Sequence, residues 1–217
     1  MFGDVKFRFR VDLHVHTRRY SPCAESLDPA HLSWAMERSG LDGLVITEHD
    51  QLWPAEDIAA MNRQLENRRI YRGVEVSSKS GHFIAIGLNG MEGIEKGMEI
   101  QRLIDHIQCR GAAVIWAHPF LRYPSIPTVL DSSDMPPGLH AVEVASGVTS
   151  GRETIIAREL AVRHGWSAVG GSDAHAPGQV GCAFTLFNEL PADEKILAEA
   201  IRNGQCMAGP TRTKDTP

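Results

Sequence analysis

Little in this 217-residue chain points to a special environment. Its hydrophobic residues, 42% of the total, never condense into a run of about 18, so no membrane span is expected. Residues 1–10 alternate charged and apolar side chains and lack the apolar core of a signal peptide. The four cysteines, Cys23, Cys109, Cys182 and Cys206, are widely spaced and form no Cys-x-x-Cys pair. That pattern argues against a disulfide framework and for four reduced thiols in a cytoplasmic protein. An excess of positive charge is missing too. Lys and Arg number 22 against 27 Asp and Glu, a net charge of -5, which excludes a generally basic nucleic-acid or membrane-surface binder but not a local basic patch. With 23% charged residues and no internal repeat, the chain is neither disordered, collagen-like nor fibrous.

What the chain has in excess is histidine. Ten histidines outnumber three Tyr and four Trp, and histidine is the commonest metal ligand and acid–base side chain. Their placement follows an alternation of short β-rich runs and amphipathic helical patterns. Residues 9–14 alternate with period 2 and predict a first strand. Asp28 and Pro29 open a helix over 29–39 that Gly40 stops. Residues 44–47 form a continuous apolar run, the mark of a strand covered on both faces.

Further strands are predicted over 70–76, 82–86, 113–116, 141–144, 167–170 and 184–187. Helices are predicted over 54–66, 94–110, 152–164 and 193–202. The pattern favours one α/β domain over residues 1–208 with a mostly parallel sheet or barrel. Residues 120–139, carrying Pro124, Pro127, Pro136 and Pro137, read as a long functional or mobile loop. Residues 209–217 read as a disordered tail.

Six histidines fall at strand ends. His14 and His16 end the first strand, His49 the second, His82 opens the fourth, and His118 and His175 follow the fifth and seventh. Asp12, Glu48, Asp50, Glu75 and Asp173 share these positions. In parallel α/β architectures the C-terminal strand ends converge on one mouth, where active sites are built. Imidazoles and carboxylates gathered there suit Zn, Mn or Fe.

The period of 2 points His14 and His16 the same way and turns Val15 to the core. A His-x-His pair alone fits two surface histidines equally well; five strand ends sharing the accident do not. Paired Gly170 and Gly171 permit a tight turn straight after a strand, delivering Asp173 and His175 to the same mouth. His31, His106, His140 and His164 lie in helical patterns or at the wrong strand end and read as structural. Cys23 is the one thiol placed to see a metal. Glu143, ending the sixth strand, reads as a support for a ligand.

The motifs Asp12-Leu13-His14-Val15-His16-Thr17, Ile46-Thr47-Glu48-His49-Asp50, Gly73-Val74-Glu75-Val76-Ser77, Ala117-His118-Pro119 and Gly171-Ser172-Asp173-Ala174-His175 together resemble the PHP (polymerase and histidinol phosphatase) family. The resemblance runs from Val11 to Gly204, with every motif in family order. It implies a distorted (β/α)7 barrel with two or three divalent metal ions at the C-terminal mouth, as in the small stand-alone phosphoesterases. Carried over motif by motif, His14, His16, Glu75 and Asp173 would hold a first metal. Glu75 would bridge to a second held by His82 and His118, and His49 and His175 would serve a third.

Two departures stand out. Many members supply a further His or Asp in the loop after the histidine pair, where this chain reads Arg18-Arg19-Tyr20-Ser21-Pro22-Cys23. Three outcomes stay open for the third site: empty, weak, or completed by the substrate phosphate. Glu48 stands where many members carry Asp.

The implied chemistry is hydrolysis of a small phosphomonoester or nucleotide by a metal-activated hydroxide, positioned by a carboxylate that bridges two ions. Glu75 is that bridge, and His175 or Asp173 would relay a proton to the leaving oxygen. Asp12 is expected to accept from a ligand imidazole, and Glu48 to sit behind the ligands. Arg19 and Arg122 are the candidate phosphate contacts. The partner expected is a small phosphorylated substrate or an oligonucleotide, with no membrane and no obligate protein partner. Two rival readings are an amide or lactone hydrolase on the same metals and a non-catalytic metal-binding regulatory domain. Two divalent ions would offset most of the -5 and make the mouth attractive to phosphate.

Overall fold

A computed structural model describes residues 7–120, 137–149 and 151–210. The chain runs β1 (Phe9–Val15), α1 (Leu32–Ser39), β2 (Gly43–Ile46), α2 (Ala55–Asn62), β3 (Arg69–Ser78), β4 (Gly81–Ile86), α3 (Ile100–Gln108) and β5 (Ala113–Trp116). It continues with β6 (Ala141–Ala145), α4 (Gly151–His164), β7 (Ser167–Gly170), β8 (Thr185–Phe187), α5 (Glu194–Arg202) and β9 (Cys206–Ala208). Asp28 and Asp193 accept from backbone N–H groups of the first turns they precede, satisfying donors no helix can pair internally. Gly40, in the left-handed conformation at φ 68°, ends α1.

All nine strands share one sheet in the order β7-β6-β5-β4-β3-β2-β1-β8-β9. The first seven therefore wind in chain order, as the distorted seven-stranded barrel requires. The barrel is nearly closed: Val15, at the end of β1, bridges in parallel to Ala174 beyond β7. The His16 N–H donates to the Ala174 carbonyl at 2.9 Å, and Thr185 Oγ1 exchanges two 2.8 Å bonds with the backbone of Gly170.

The sheet is mixed rather than mostly parallel. β1, β2 and β3 are parallel, as are β5, β6 and β7, but β4 pairs antiparallel with both neighbours. A tight β3–β4 hairpin replaces a helical crossover, so the start of β4 lies beside the end of β3. The helix predicted over 94–110 shrinks to α3, because Gly93 and Gly97 take positive φ and break its first turns. The short strand β9 had no periodicity to announce it. The proline-rich stretch lies mostly outside the described residues, as do Arg122 and residues 211–217.

Two cores flank the barrel wall and one fills it. Val11, Leu13, Val45, Tyr71, Ile84, Ile115 and Val169 pack inside with Leu197 and Ile201 of α5. α5 closes the end opposite the mouth. Arg202 bonds the Gly111 carbonyl ahead of β5, the Ser167 hydroxyl at the start of β7 bonds the Ile201 carbonyl, and Tyr71 Oη donates to Pro191 O at 2.7 Å. Val15, Leu44 and Ile46 instead pack outward against Leu32 and Met36 of α1. Along β1 the pairing register with β2 shifts between Asp12 and Val15. Such a shift re-aims side chains, and here it lets the interior Leu13 be followed at once by His14 in the mouth. No helix among the described residues is long and apolar enough to cross a membrane.

Because the plug and the mouth are at opposite ends, they can be perturbed separately. Leu197→Ala leaves a cavity under the barrel and is expected to cost about 2–5 kcal/mol in urea unfolding. Tyr71→Phe, losing one buried hydrogen bond, is expected to cost about 0.5–1.5 kcal/mol. Losses below about 0.5 kcal/mol for both would show that α5 does not close the core.

Candidate metal centre

Glu75 is the middle of the site. It lies in β3, fully buried, and five imidazoles surround its carboxylate. His82 Nδ1 and His118 Nε2 each lie 2.9 Å from Oε1, and His14 Nε2 lies 3.5 Å from it. His49 Nδ1 is 2.8 Å and His16 Nε2 3.3 Å from Oε2. Asp173 Oδ1 completes the ring at 3.2 Å from His16 Nε2 and 3.4 Å from His14 Nε2. His175 stacks beside His16, with ring centroids 4.5 Å apart. The structure thus brings together all eight side chains that the sequence motifs nominate.

Each is placed by local backbone. His82 reaches Glu75 only because β4 runs backwards, so a residue that opens its strand sits at the same rim as residues that end theirs. His118 and Asp173 adopt positive φ of 25° and 53°, and Asp50, beside His49, has φ 56°. These are the three non-glycine positive φ values among the described residues, and strain of this kind collects at functional sites. The Asp50 strain is held by its carboxylate, which accepts from the Ser77 N–H at 2.7 Å and the Ser77 hydroxyl at 2.9 Å. That clamps β3 two residues beyond Glu75.

A further set of groups holds the ring nitrogens. Glu143 Oε1 lies 2.9 Å from His14 Nδ1, and its Oε2 accepts from the His118 N–H at 2.7 Å. The expected support role of Glu143 is therefore visible on two ligand candidates at once. Ser21 Oγ lies 3.3 Å from His16 Nδ1, and the Asp173 carbonyl lies 2.8 Å from His175 Nδ1. With Nδ1 so engaged, His14, His16 and His175 turn Nε2 inward. Glu48 accepts from Trp53 Nε1 at 2.9 Å and from the Thr17 N–H and hydroxyl, fixing the residue that follows His16.

Two expectations are corrected. Asp12 touches no imidazole; its carboxylate accepts from the backbone N–H groups of Ser172 and Gly181, each at 2.8 Å, and of His14 at 3.2 Å. The reason is the pleat: Asp12 and the interior Leu13 point to opposite sides of β1. Asp12 ties the Gly-Ser turn to the strand, and burial pushes its carboxyl up to about 6 against those hydrogen bonds. Arg19 is not held for substrate phosphate either. Its guanidinium pairs with Asp57 at 2.7 Å and lies over the Trp53 ring, 4.4 Å from the centroid. Cys23 is exposed and joins none of the metal-holding groups described below. Ser21 is a support that no sequence motif singled out, and Asp50, at the end of the His49 motif, is a support for β3.

The donor set fits divalent cations. Four overlapping triads have donor atoms within 4.8 Å of one another: His14/His16/Glu75, His14/His118/Asp173, His49/Glu75/His82 and His16/His49/His175. Glu75 Oε2 is buried without a directed hydrogen bond among the described residues, and His14 Nε2 faces His16 Nε2 at 3.0 Å. Buried lone pairs left this way demand positive charge. Electrostatics says the same. Burial would lower the His14 pKa, yet Glu143, Glu75 and Asp173 raise it well above the usual range. A proton on His14 stands where a cation would.

Burial also opposes ionisation of Glu75 and Asp173, but His14 and the neighbouring imidazoles hold both well below the ordinary carboxylate range. His16 goes the other way, lowered to about 4 chiefly by burial. Nitrogen and oxygen donors in this mixture are borderline-to-hard ligands, the chemistry of Zn, Mn or Fe.

A barrel with a buried histidine–carboxylate cluster at one mouth defines a class of metal-centre proteins, and comparison narrows it. A family profile described as PHP-associated matches residues 152–206. An uncharacterized protein of Methanocaldococcus jannaschii is 31% identical over 186 residues, covering 83% of this chain and 71% of that protein. The chain belongs to the PHP family. Among solved structures, PsfC from Pseudomonas syringae superposes with a TM-score of 0.68 at 20% identity, covering 95% of this chain and 93% of that one. A two-domain protein from Bacteroides vulgatus, containing a predicted PHP-like metal-dependent phosphoesterase, superposes with a TM-score of 0.65 at 21% identity. That match covers 96% of this chain but only 66% of the longer protein.

Two substitutions test how the site is held. Glu143→Gln keeps the shape and removes the charge behind His14; zinc affinity measured by chelator competition is expected to fall about 10–100-fold. Gly171→Ala would place a methyl group 2.5 Å from His14 Cβ and 2.7 Å from Glu143 Oε1. Bound metal per folded molecule, read by elemental analysis, is expected to drop sharply, and wild-type content would show that the turn can yield.

Proposed function

We propose that this chain is a metal-dependent phosphoesterase that hydrolyses a small phosphomonoester or nucleotide. The observation that carries the reading is the division of labour on Glu75. Oε1 lies 2.9 Å from His82 and His118 and 3.5 Å from His14, and Oε2 lies 2.8 Å from His49 and 3.3 Å from His16, so both oxygens of one side chain sit among imidazoles that could hold more than one cation. On this reading His14, His16 and Asp173 would hold one ion with Glu75, and His82 and His118 would share a second with it. His49 and His175 meet His16 in a third triad. When bound, divalent ions supply Lewis acidity toward a phosphoryl oxygen and lower the pKa of water.

The residues do the rest. Glu75 fixes the spacing of the two positions, and the buried Glu143 keeps His14 from turning away. His175 has Nδ1 tied to the Asp173 carbonyl, so its Nε2 is the nitrogen that would take a proton from water and give it to the leaving oxygen. Asp173 shares that position and orients the same ring. Bound cations would attract the phosphate dianion, whereas Arg19 pairs with Asp57.

Freshly purified protein is expected to carry Zn, Mn or Fe and to turn over p-nitrophenyl phosphate or a nucleotide faster than amide or lactone substrates. His14→Ala and Asp173→Ala are each expected to remove metal and reduce kcat/KM by about 100-fold or more, whereas His31→Ala leaves both unchanged. Full metal occupancy without phosphoester turnover would overturn the reading. A preference for amides or lactones would replace it with the corresponding hydrolase.

A further inference from the structure

The connection from β4 to α3, residues 87–99, contains no helix or strand, and a loop of this length is uncommon in a compact fold. It starts at Gly87, beside Ala198 of α5 at the closed end, and climbs the outside of the barrel to the mouth. Leu88 and Ile94 are buried, and Met91 and Met98 pack against the same core. At the mouth the Gly97 N–H donates to the Ser77 carbonyl at 2.6 Å, and the Lys79 N–H donates to the Met98 carbonyl at 3.1 Å. Gly97 takes φ 78°, a turn that glycine makes without strain. The segment is thus fixed to the end of β3, and it carries Lys96 there.

Lys96 stands on the open side of the metal centre. Ser77 lies two residues beyond Glu75 on the same face of β3 and pairs across the hairpin with His82. Its hydroxyl donates to Asp50 Oδ2 at 2.9 Å, and Lys96 Nζ lies 3.9 Å from that oxygen. Among the candidate ligands, His49, His82 and His175 keep 30%, 18% and 29% of their side chains exposed, whereas His14 and His16 keep none. His49 adjoins Asp50, and His82 is the partner of Ser77. Solvent, and with it a substrate, therefore reaches the cluster on the side that Asp50 and Ser77 border.

Other cations in the loops of the mouth are committed: Arg18 to Asp28, Arg19 to Asp57 at 2.7 Å, and Lys79 to Glu99 at 2.6 Å. Lys96 is held differently. Its side chain is 77% exposed, and 3.9 Å is too far for a hydrogen bond to a carboxylate that already accepts twice from Ser77. That leaves its three ammonium donors to water or to a ligand. We propose that Lys96 is a substrate-binding residue whose ammonium donates to a non-bridging oxygen of the substrate phosphate dianion. The inference rests on the phosphoesterase reading above. Moving to the phosphate costs the site nothing structural, because Asp50 keeps both bonds to Ser77 when the lysine leaves.

The test uses the full chain loaded with manganese, with inorganic phosphate and p-nitrophenyl phosphate as probes. Phosphate is expected to slow acylation of Lys96 by acetic anhydride, read by peptide mass spectrometry, and to leave the exposed Lys195 of α5 unaffected. Lys96→Met is expected to weaken phosphate about 10-fold by calorimetry and to raise KM by a similar factor, and Lys96→Arg to recover most of both. Thermal unfolding and bound manganese are expected to match wild type in each variant. Acylation of Lys96 unchanged by saturating phosphate overturns the proposal. So do phosphate affinity and KM equal to wild type in Lys96→Met, with the phosphoesterase reading left standing. Loss of manganese in that variant would make Lys96 a support for Asp50 and overturns it as well. A loaded wild type that binds no phosphate and turns over no phosphoester overturns both.

Discussion

The structure depends on keeping one buried carboxylate charged. Glu75 sits inside a barrel where the cost of an isolated ion is several kcal/mol or more. It is tolerable there only because five imidazoles and the cations they can share surround it. The surrounding architecture serves that arrangement. β3 delivers Glu75 to the mouth, β1 and β7 deliver the histidine pair and Asp173 from either side of the closure, and the β3–β4 hairpin folds His82 back over the top. α5, at the far end, packs Leu197 and Ile201 into the apolar interior.

Such a cluster is costly to assemble without a cation. Donor nitrogens approach one another to 3.0 Å, one imidazole takes a proton it would normally shed, and three non-glycine residues adopt left-handed backbone. Each of these strains is met locally by a hydrogen bond that points away from the cluster. Glu143 holds the His118 N–H, Asp50 holds Ser77, and Asp12 gathers three backbone N–H groups around the Gly-Ser turn. The outer ring of acceptors therefore does structural work that the inner ring cannot do for itself.

Much of this was legible from the chain because short motifs at strand ends carry both position and chemistry. The six histidines at strand ends follow from residue type and strand boundaries, the choice of Glu75 and Asp173 among five carboxylates follows from the family resemblance, and the fold brings all eight together. What could not be read is instructive. Reversal of β4 is invisible to periodicity, since an antiparallel and a parallel buried strand present the same apolar run. The β1 register shift, which puts Leu13 and His14 on the same side, breaks the alternation on which sequence reading depends. Asp12 was misassigned for that reason. Arg19 was misjudged because its partner Asp57 lies on α2, far along the chain, and pairing of that range leaves no local mark.

Ser21 is illegible in the sequence for a more general reason. A ligand must be His, Asp, Glu or Cys, so its type announces it. A group behind a ligand needs only an oxygen in the right place, and serines are too common to signal anything by type. Ser21 is recognisable only once its hydroxyl is seen to touch two histidines that are 33 residues apart in sequence (His16 and His49). The choice between carboxylate and hydroxyl then becomes informative in a way that composition never is. A carboxylate behind an imidazole fixes its proton and strengthens its remaining lone pair, which suits His14, flanked by Glu75 and Asp173. His14 and His16 each belong to two of the four triads that could hold an ion, so the two different supports serve positions of equal standing.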